Sequence, residues 1–147
     1  MLEQKTREDR MAFAGTNYLA VVLAAAVSYC FGALYYGALA RPWMAAIGQS
    51  EADLKARSGL TPYVLALVSL LAMATVLAGV LGHLGPGQVT LRNGLISAAF
   101  VWTGFVVTVI SVNYAFSGAK FMQGLIDAGH WLGVLLIQGA IIGWMGV

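Results

Sequence analysis

The stretch 62–84, PYVLALVSLLAMATVLAGVLGHL, decides the fold, because it contains no Asp, Glu, Lys or Arg. It is close to the roughly 20 residues that an α-helix needs to cross the hydrocarbon core of a bilayer. Three further apolar runs, at about 16–39, 91–116 and 127–145, have comparable lengths. The sequence therefore predicts a single all-α domain over residues 1–147, an integral membrane bundle of four transmembrane helices with both termini on one side.

The composition agrees with a protein that has lipid as its solvent. The chain is 60% hydrophobic and only 10% charged, whereas soluble domains carry about 25% charged residues. Its net charge of +2 includes no cluster of Lys and Arg, so we expect no nucleic-acid partner. The single cysteine, Cys30, has no metal-ligand spacing around it, and we expect neither a metal site nor a cofactor.

Sequence motifs of common enzymes are missing. The chain contains no HExxH, CxxC or GxSxG motif and no glycine-rich phosphate loop, so we do not expect an enzyme. Residues 1–14 mix acids with bases and precede an apolar run too long for a signal peptide. We interpret them as a polar tail.

The first loop, residues 40–61, includes RPWMAAIGQSEADLKARSG. Its mixture of a tryptophan with charged residues favours a short amphipathic segment that lies in the membrane interface. Ser50, with Asp53 three residues later, predicts a cap for a short helical turn. A solvated loop is the alternative that the sequence leaves open.

Basic residues are divided equally between the two sides of the predicted bundle. The tail and the second loop carry Lys5, Arg7, Arg10 and Arg92. The first and third loops carry Arg41, Lys55, Arg57 and Lys120. With four basic residues on each side, the positive-inside rule does not distinguish the two possible orientations. Because Arg41 lies directly beside its span, we favour a cell-membrane topology with the first and third loops in the cytoplasm and both termini outside.

Small residues recur at helical spacing in several spans, which is typical of close helix packing in lipid. The predicted packing residues are Ala24, Ser28, Gly32, Gly104, Gly139 and Gly143. Gly139 and Gly143 form a GxxxG pair, for which a subunit interface is one interpretation. The third span has small or polar residues on two faces, so we expect it to pack on two sides, centrally or between subunits.

Polar residues converge where the first and third loops meet the spans. The candidate ligand-binding or pore residues are Tyr36, Asn113, Asp127, His130 and Gln138. Asp127 and His130 share a helix face and favour a proton-responsive pair. Alternatively, Asp127 caps the fourth helix and His130 anchors it at the interface. Gln138 either makes an interhelical hydrogen bond or forms the floor of a cavity.

Five segments of the chain occur in this order: NYLAVVLAAAVSYCFGALYYG, PWM, WTGF, NYAF and DAGHWL. With them the chain resembles the membrane family catalogued as domain of unknown function 1761. The resemblance covers about residues 17–143. The positions that carry it are Asn17, Gly32, Tyr36, Trp43, Trp102, Gly104, Phe105, Asn113, Phe116, His130 and Gly139. The chain departs from the family pattern at Tyr35, where a tryptophan is expected, and in its longer charged N-terminus. The resemblance implies four spans in a bacterial inner membrane, and no known activity.

Two functional hypotheses follow. The first is a homo-oligomer that binds or transports a small molecule, with the polar cluster as its mouth and the first-loop segment as its lid. The second is a structural or partner-binding membrane subunit without transport activity, because one bundle has more small-residue stripes than it needs. Membrane lipid is the expected partner in both cases.

Overall fold

A computed structural model describes residues 16–57 and 59–147, so the polar tail predicted over residues 1–14 lies outside the described residues. The described chain is helical and contains no strand. Its helices are α1 (Tyr18–Ala38), α2 (Ala40–Ile47), α3 (Glu51–Arg57), α4 (Thr61–Gly82), α5 (Leu91–Val101), a π-helical turn (Trp102–Val106), α6 (Val107–Ser117) and α7 (Phe121–Met145).

Four of these helical segments are long and apolar enough to cross a membrane within the described ranges. They are α1, α4, the continuous third span Leu91–Ser117, and α7. The prediction of an all-α fold with four membrane-length helices is confirmed.

Short-range signals explain where the helices begin and end. The Asn17 side chain accepts a hydrogen bond from the Ala20 amide at 3.1 Å, and Thr90 accepts one from Asn93 at 3.2 Å, so both residues are N-caps. Pro62 occupies the first turn of α4, where its missing N–H is tolerated. Gly118, with φ of +68°, ends α6 in the left-handed conformation that glycine adopts without strain.

The fourth span begins earlier than predicted. The helix starts at Phe121, whereas the sequence placed the span at about 127–145. The reason is that Gly118 ends α6 and the chain resumes a helix within three residues, through the apolar residues Phe121, Met122 and Leu125. Asp127 therefore lies inside α7 and is not its N-cap.

Helix α7 is the centre of the bundle, and it packs against α1, α4 and α5. Half of its most apolar window is buried, against 28% for α1, 28% for α4 and 6% for the third span. Within one chain the third span does not hold the central position, and its packing between subunits, the other alternative, stays a prediction. Its N-terminal half, α5, lies along α7, while most of α6 is exposed.

The first loop folds into α2 and α3. Ser50 and Asp53 form the predicted cap: the Ser50 amide donates to the Asp53 carboxylate at 2.9 Å, and the Asp53 amide donates to the Ser50 hydroxyl at 3.2 Å. The hydrogen bonds from Ser50 lower the pKa of Asp53. Helix α2 packs against α7 through Trp43, which brings this segment to the predicted site.

The predicted packing residues divide into three groups. Ala24 and Ser28 are completely buried. Gly32, Gly139 and Gly143 lie at close helix contacts: a Cβ on Gly32 would lie 2.9 Å from His130 Nε2, Gly139 lies against the Gly94 backbone, and Gly143 lies against the Thr90 backbone. Gly104 is exposed, and an added Cβ there would meet no atom within 4 Å among the described residues. Gly104 therefore makes no close helix contact within this bundle, and its packing role stays a prediction.

Candidate functional site

Asp127 lies one and a half turns into α7 and accepts three hydrogen bonds. Tyr36 Oη of α1 donates to Oδ1 at 2.8 Å, and Trp43 Nε1 of α2 donates to the same oxygen at 3.2 Å. Tyr114 Oη of α6 donates to Oδ2 at 2.6 Å. A carboxylate has about four lone-pair sites, so three of them are occupied. The Asp127 cluster, defined as Asp127 with Tyr36, Trp43 and Tyr114, joins three helices to α7.

Backbone carbonyls beside Asp127 are also hydrogen-bonded by aromatic side chains. Tyr35 Oη donates to the Ile126 carbonyl at 3.0 Å, and Trp102 Nε1 donates to the Ala128 carbonyl at 2.8 Å. Trp102 is the first residue of the π-helical turn, an irregularity that is frequent at functional sites. The segment of α7 around Asp127 is thus fixed by donors from α1, α2 and the third span.

His130 follows one turn later and is enclosed by aromatic rings. The ring centroids of Tyr36 and Trp131 lie 4.8 Å and 4.9 Å from the centroid of the imidazole. The Phe31 ring is almost parallel to it, at 6.1 Å and 9°. The His130 side chain is 8% exposed, and its Nδ1 atom is buried without a hydrogen-bond partner. Gly32 makes this packing possible, because any side chain there would collide with the imidazole.

Gln138 lies two turns beyond His130 on the same stripe of α7 and is completely buried. Its Nε2 donates to the Leu70 carbonyl of α4 at 3.1 Å, which is the interhelical hydrogen bond predicted as one alternative. Its Oε1 atom is buried and has no partner. Between the two residues, Ser28 of α1 donates to the Val134 carbonyl at 3.5 Å, a long hydrogen bond.

The structure brings together three of the five predicted site residues, Tyr36, Asp127 and His130. Tyr36 bonds Asp127, and His130 and Gln138 continue the same stripe of α7 into the bundle. Asn113 is exposed on α6 and does not join them. No hydrogen bond connects Asp127 to His130 in the described chain: the carboxylate accepts from three aromatic donors, and His130 Nδ1 has no partner.

Sequence reasoning omitted three contributors from the candidate list. Trp43 and Tyr114 donate to Asp127, and Phe31 stacks on His130. Trp43 was indicated by the family resemblance and as part of the amphipathic first-loop segment, and Tyr114 by its position at the same end of the bundle. Nothing in the local sequence around Phe31 distinguishes it from an ordinary lipid-facing aromatic residue. No group of three or more His, Cys, Asp or Glu residues that could hold a metal occurs where the structure describes the chain.

A family model described as "Protein of unknown function (DUF1761)" matches residues 19–143. The chain belongs to this family. No curated protein and no solved structure matches the chain. The DUF1761 region includes the whole Asp127 cluster, His130 and Gln138, so the polar stripe lies within the part of the chain that defines membership.

Proposed function

We propose that the protein is a homo-oligomeric cell-membrane protein that binds or transports a small polar molecule along the polar stripe of α7. The observation that carries the proposal is the pair of unpartnered buried atoms, His130 Nδ1 and Gln138 Oε1. Buried polar atoms in folded proteins are nearly always hydrogen-bonded. Their partners are especially valuable in a membrane, where no solvent replaces them. A bound molecule supplies the missing partners.

The spacing of the two atoms suits such a molecule. His130 and Gln138 are eight residues apart, which corresponds to about 12 Å along a helix. Gln138 Oε1 is an acceptor, so the bound molecule donates a hydrogen bond there. The flat face of Phe31 and the ring of Tyr36 complete the walls around His130. This combination of apolar walls with few polar groups is typical of small-molecule sites.

The Asp127 cluster has a positioning role in this proposal. Its carboxylate is already occupied by Tyr36, Trp43 and Tyr114, so it holds the helices around His130 and does not itself receive the molecule. Two hydrogen bonds tie α2 to α7: Trp43 donates to Asp127, and Lys120, at the start of α7, donates to the Ala45 carbonyl. Both must break before the first-loop segment can leave α7, and in this proposal that segment is the lid of the site. We place it in the cytoplasm of a bacterial cell.

The experiment is a native mass spectrum of the protein released from nanodiscs made with a native lipid extract. We expect a defined oligomer with a reproducible extra mass. We expect Gln138→Leu and His130→Phe to lose this mass, and Asn113→Ala, an exposed polar residue outside the stripe, to keep it. Gel filtration and thermal unfolding show that each variant is folded. A wild-type oligomer without extra mass, or variants that retain it, contradicts the proposal.

The alternative, a structural or partner-binding subunit, is favoured by one observation. Only 6% of the apolar window of the third span is buried, and Phe105 and Phe116 are among its exposed side chains. A subunit that is completed by another protein would have such a face. In the same spectrum it would give a clean monomer or oligomer with loosely held lipid only.

A further inference from the structure

A groove lies between α6 and α7, and Tyr114 of the Asp127 cluster is part of its lining. Its volume is about 370 Å³, within the range of small-ligand sites. Most of its lining is apolar, including Val107, Ile110 and Leu125, and Gly124 forms part of its surface. The groove is partly open to the outside of the bundle, so a ligand dissolved in the bilayer has access to it.

The polar lining residues are Ser111, Tyr114 and Lys120, and the lysine lies at the loop end of the groove. The Ser111 hydroxyl is already bonded to the Val107 carbonyl, and that of Tyr114 to Asp127. Lys120 differs, because its ammonium makes one hydrogen bond, to the Ala45 carbonyl of α2 at 2.8 Å, and an ammonium has three donors. Two N–H groups therefore remain for an anion.

Lys120 forms no ion pair with an acid in the described chain. Glu51 is paired with Lys55, Asp53 is bonded to Ser50, and Asp127 accepts from its aromatic donors. The groove therefore combines an apolar surface with one unpaired cation at its loop end. This pattern is complementary to an amphiphile that has an anionic headgroup and an acyl chain.

We infer that the groove between α6 and α7 is a binding site for an anionic phospholipid from the surrounding bilayer. Its phosphate contacts Lys120, and one acyl chain lies along α6 from Ala115 to Val107. Juxtamembrane lysines attract anionic lipids, and the groove adds a fixed place for the chain. The inference goes beyond the proposed small-molecule function and does not depend on it, since neither His130 nor Gln138 lines the groove.

Tyr114 and Ala128 connect the groove to the polar stripe. Tyr114 lines the groove with its ring and donates its hydroxyl to Asp127. Ala128 lines the groove too, and its carbonyl accepts from Trp102. An acyl chain in the groove would hold both contacts in place, so the lipid supports the geometry of the Asp127 cluster.

The experiment measures lipid retention by native mass spectrometry after reconstitution with equal amounts of phosphatidylglycerol and phosphatidylcholine that have identical acyl chains. We expect the wild type to retain phosphatidylglycerol in preference by about fivefold, the effect of one lysine near the headgroups. Lys120→Gln should reduce this preference to near unity. Arg57→Gln removes the same charge from α3, outside the groove, and should keep it.

A second variant tests the acyl-chain part of the site. Ala115→Phe fills the groove and should lower the number of retained lipids of both kinds, whereas Val68→Phe, at an exposed position of α4 outside the lining, should not. Equal retention of the two lipids by the wild type overturns the inference. So does a preference that survives Lys120→Gln, or one that Arg57→Gln abolishes equally. Gln138→Leu should leave lipid preference unchanged, which separates this site from the proposed function.

Discussion

At the scale of single residues, the chemistry of Asp127 was only partly readable from the sequence. Its position among polar residues at one end of the bundle indicated that it would meet partners from other helices. The identity of those partners depends on which way each helix faces, which a single apolar span does not specify. Tyr36 was predicted, Asn113 was predicted and is exposed, and the donors Trp43 and Tyr114 were absent from the candidate list.

Tyr114→Phe tests the Asp127 cluster directly. The substitution removes the 2.6 Å hydrogen bond to Oδ2 and keeps the ring. Hydrogen bonds to charged groups contribute about 1.5–3 kcal/mol, so we expect the free energy of unfolding to fall by about that amount. The measurement is a reversible unfolding titration with a denaturing detergent in mixed micelles.

Tyr63→Phe is the matched control, because Tyr63 is exposed on α4 and its hydroxyl is not hydrogen-bonded in the structure. It should leave the unfolding free energy nearly unchanged. If both variants unfold alike, Asp127 does not hold α6 in the folded protein.

At the scale of helices, the sequence predicted that glycine stripes are contacts but not which helices they join. A GxxxG pair has the same pattern whether its partner belongs to the same chain or to another. The structure places Gly139 against Gly94 and Gly143 against Thr90, so the pair packs within one chain. The start of α7 was missed because a charged residue within a helix looks like the end of an apolar span in a hydropathy pattern. In the structure the Asp127 carboxylate lies inside α7 and accepts hydrogen bonds from two tyrosines and a tryptophan.

Gly139→Ala should weaken the contact between α5 and α7. Its Cβ would collide with the Gly94 carbonyl, and backbone atoms cannot turn aside as a side chain can. Overpacking of this kind costs about 1–3 kcal/mol, which the same unfolding titration detects. Gly104→Ala is the control, because an added Cβ there meets nothing within 4 Å. A stable Gly139→Ala variant with an altered subunit count would instead place the stripe between chains.

At the scale of the whole molecule, four membrane-length helices followed from the lengths of the four apolar runs, because lipid leaves few alternatives to apolar helices. The arrangement of those helices did not follow. The third span appeared two-sided, yet the bundle uses mainly its α5 half, where Gly94 and Ala98 are buried, and leaves α6 exposed. An exposed face in lipid carries no hydrophobic penalty, so a monomer with this arrangement is not excluded by its apolar surface.

An exposed apolar ridge along the third span nevertheless favours packing against a second copy of the chain. The ridge consists of Phe105 in the π-helical turn and Val109, Val112 and Phe116 in α6, at spacings of four, three and four residues. This spacing keeps the four side chains on one face, as in the seam of a helical pair. In a twofold dimer, a residue in the middle of such a ridge lies near its own copy. Val109 has that position.

Oxidative cross-linking tests this arrangement. In a Cys30→Ala background, which removes the exposed native thiol, we expect Val109→Cys to form disulfide-linked dimers in membranes. A disulfide requires Cα atoms within about 7 Å, so random encounters give little product at low protein density. Val76→Cys is the matched control, because Val76 is an equally apolar and exposed residue of α4. Dimers from both positions would indicate random collision, and dimers from neither would place the subunit contact away from the ridge of α6.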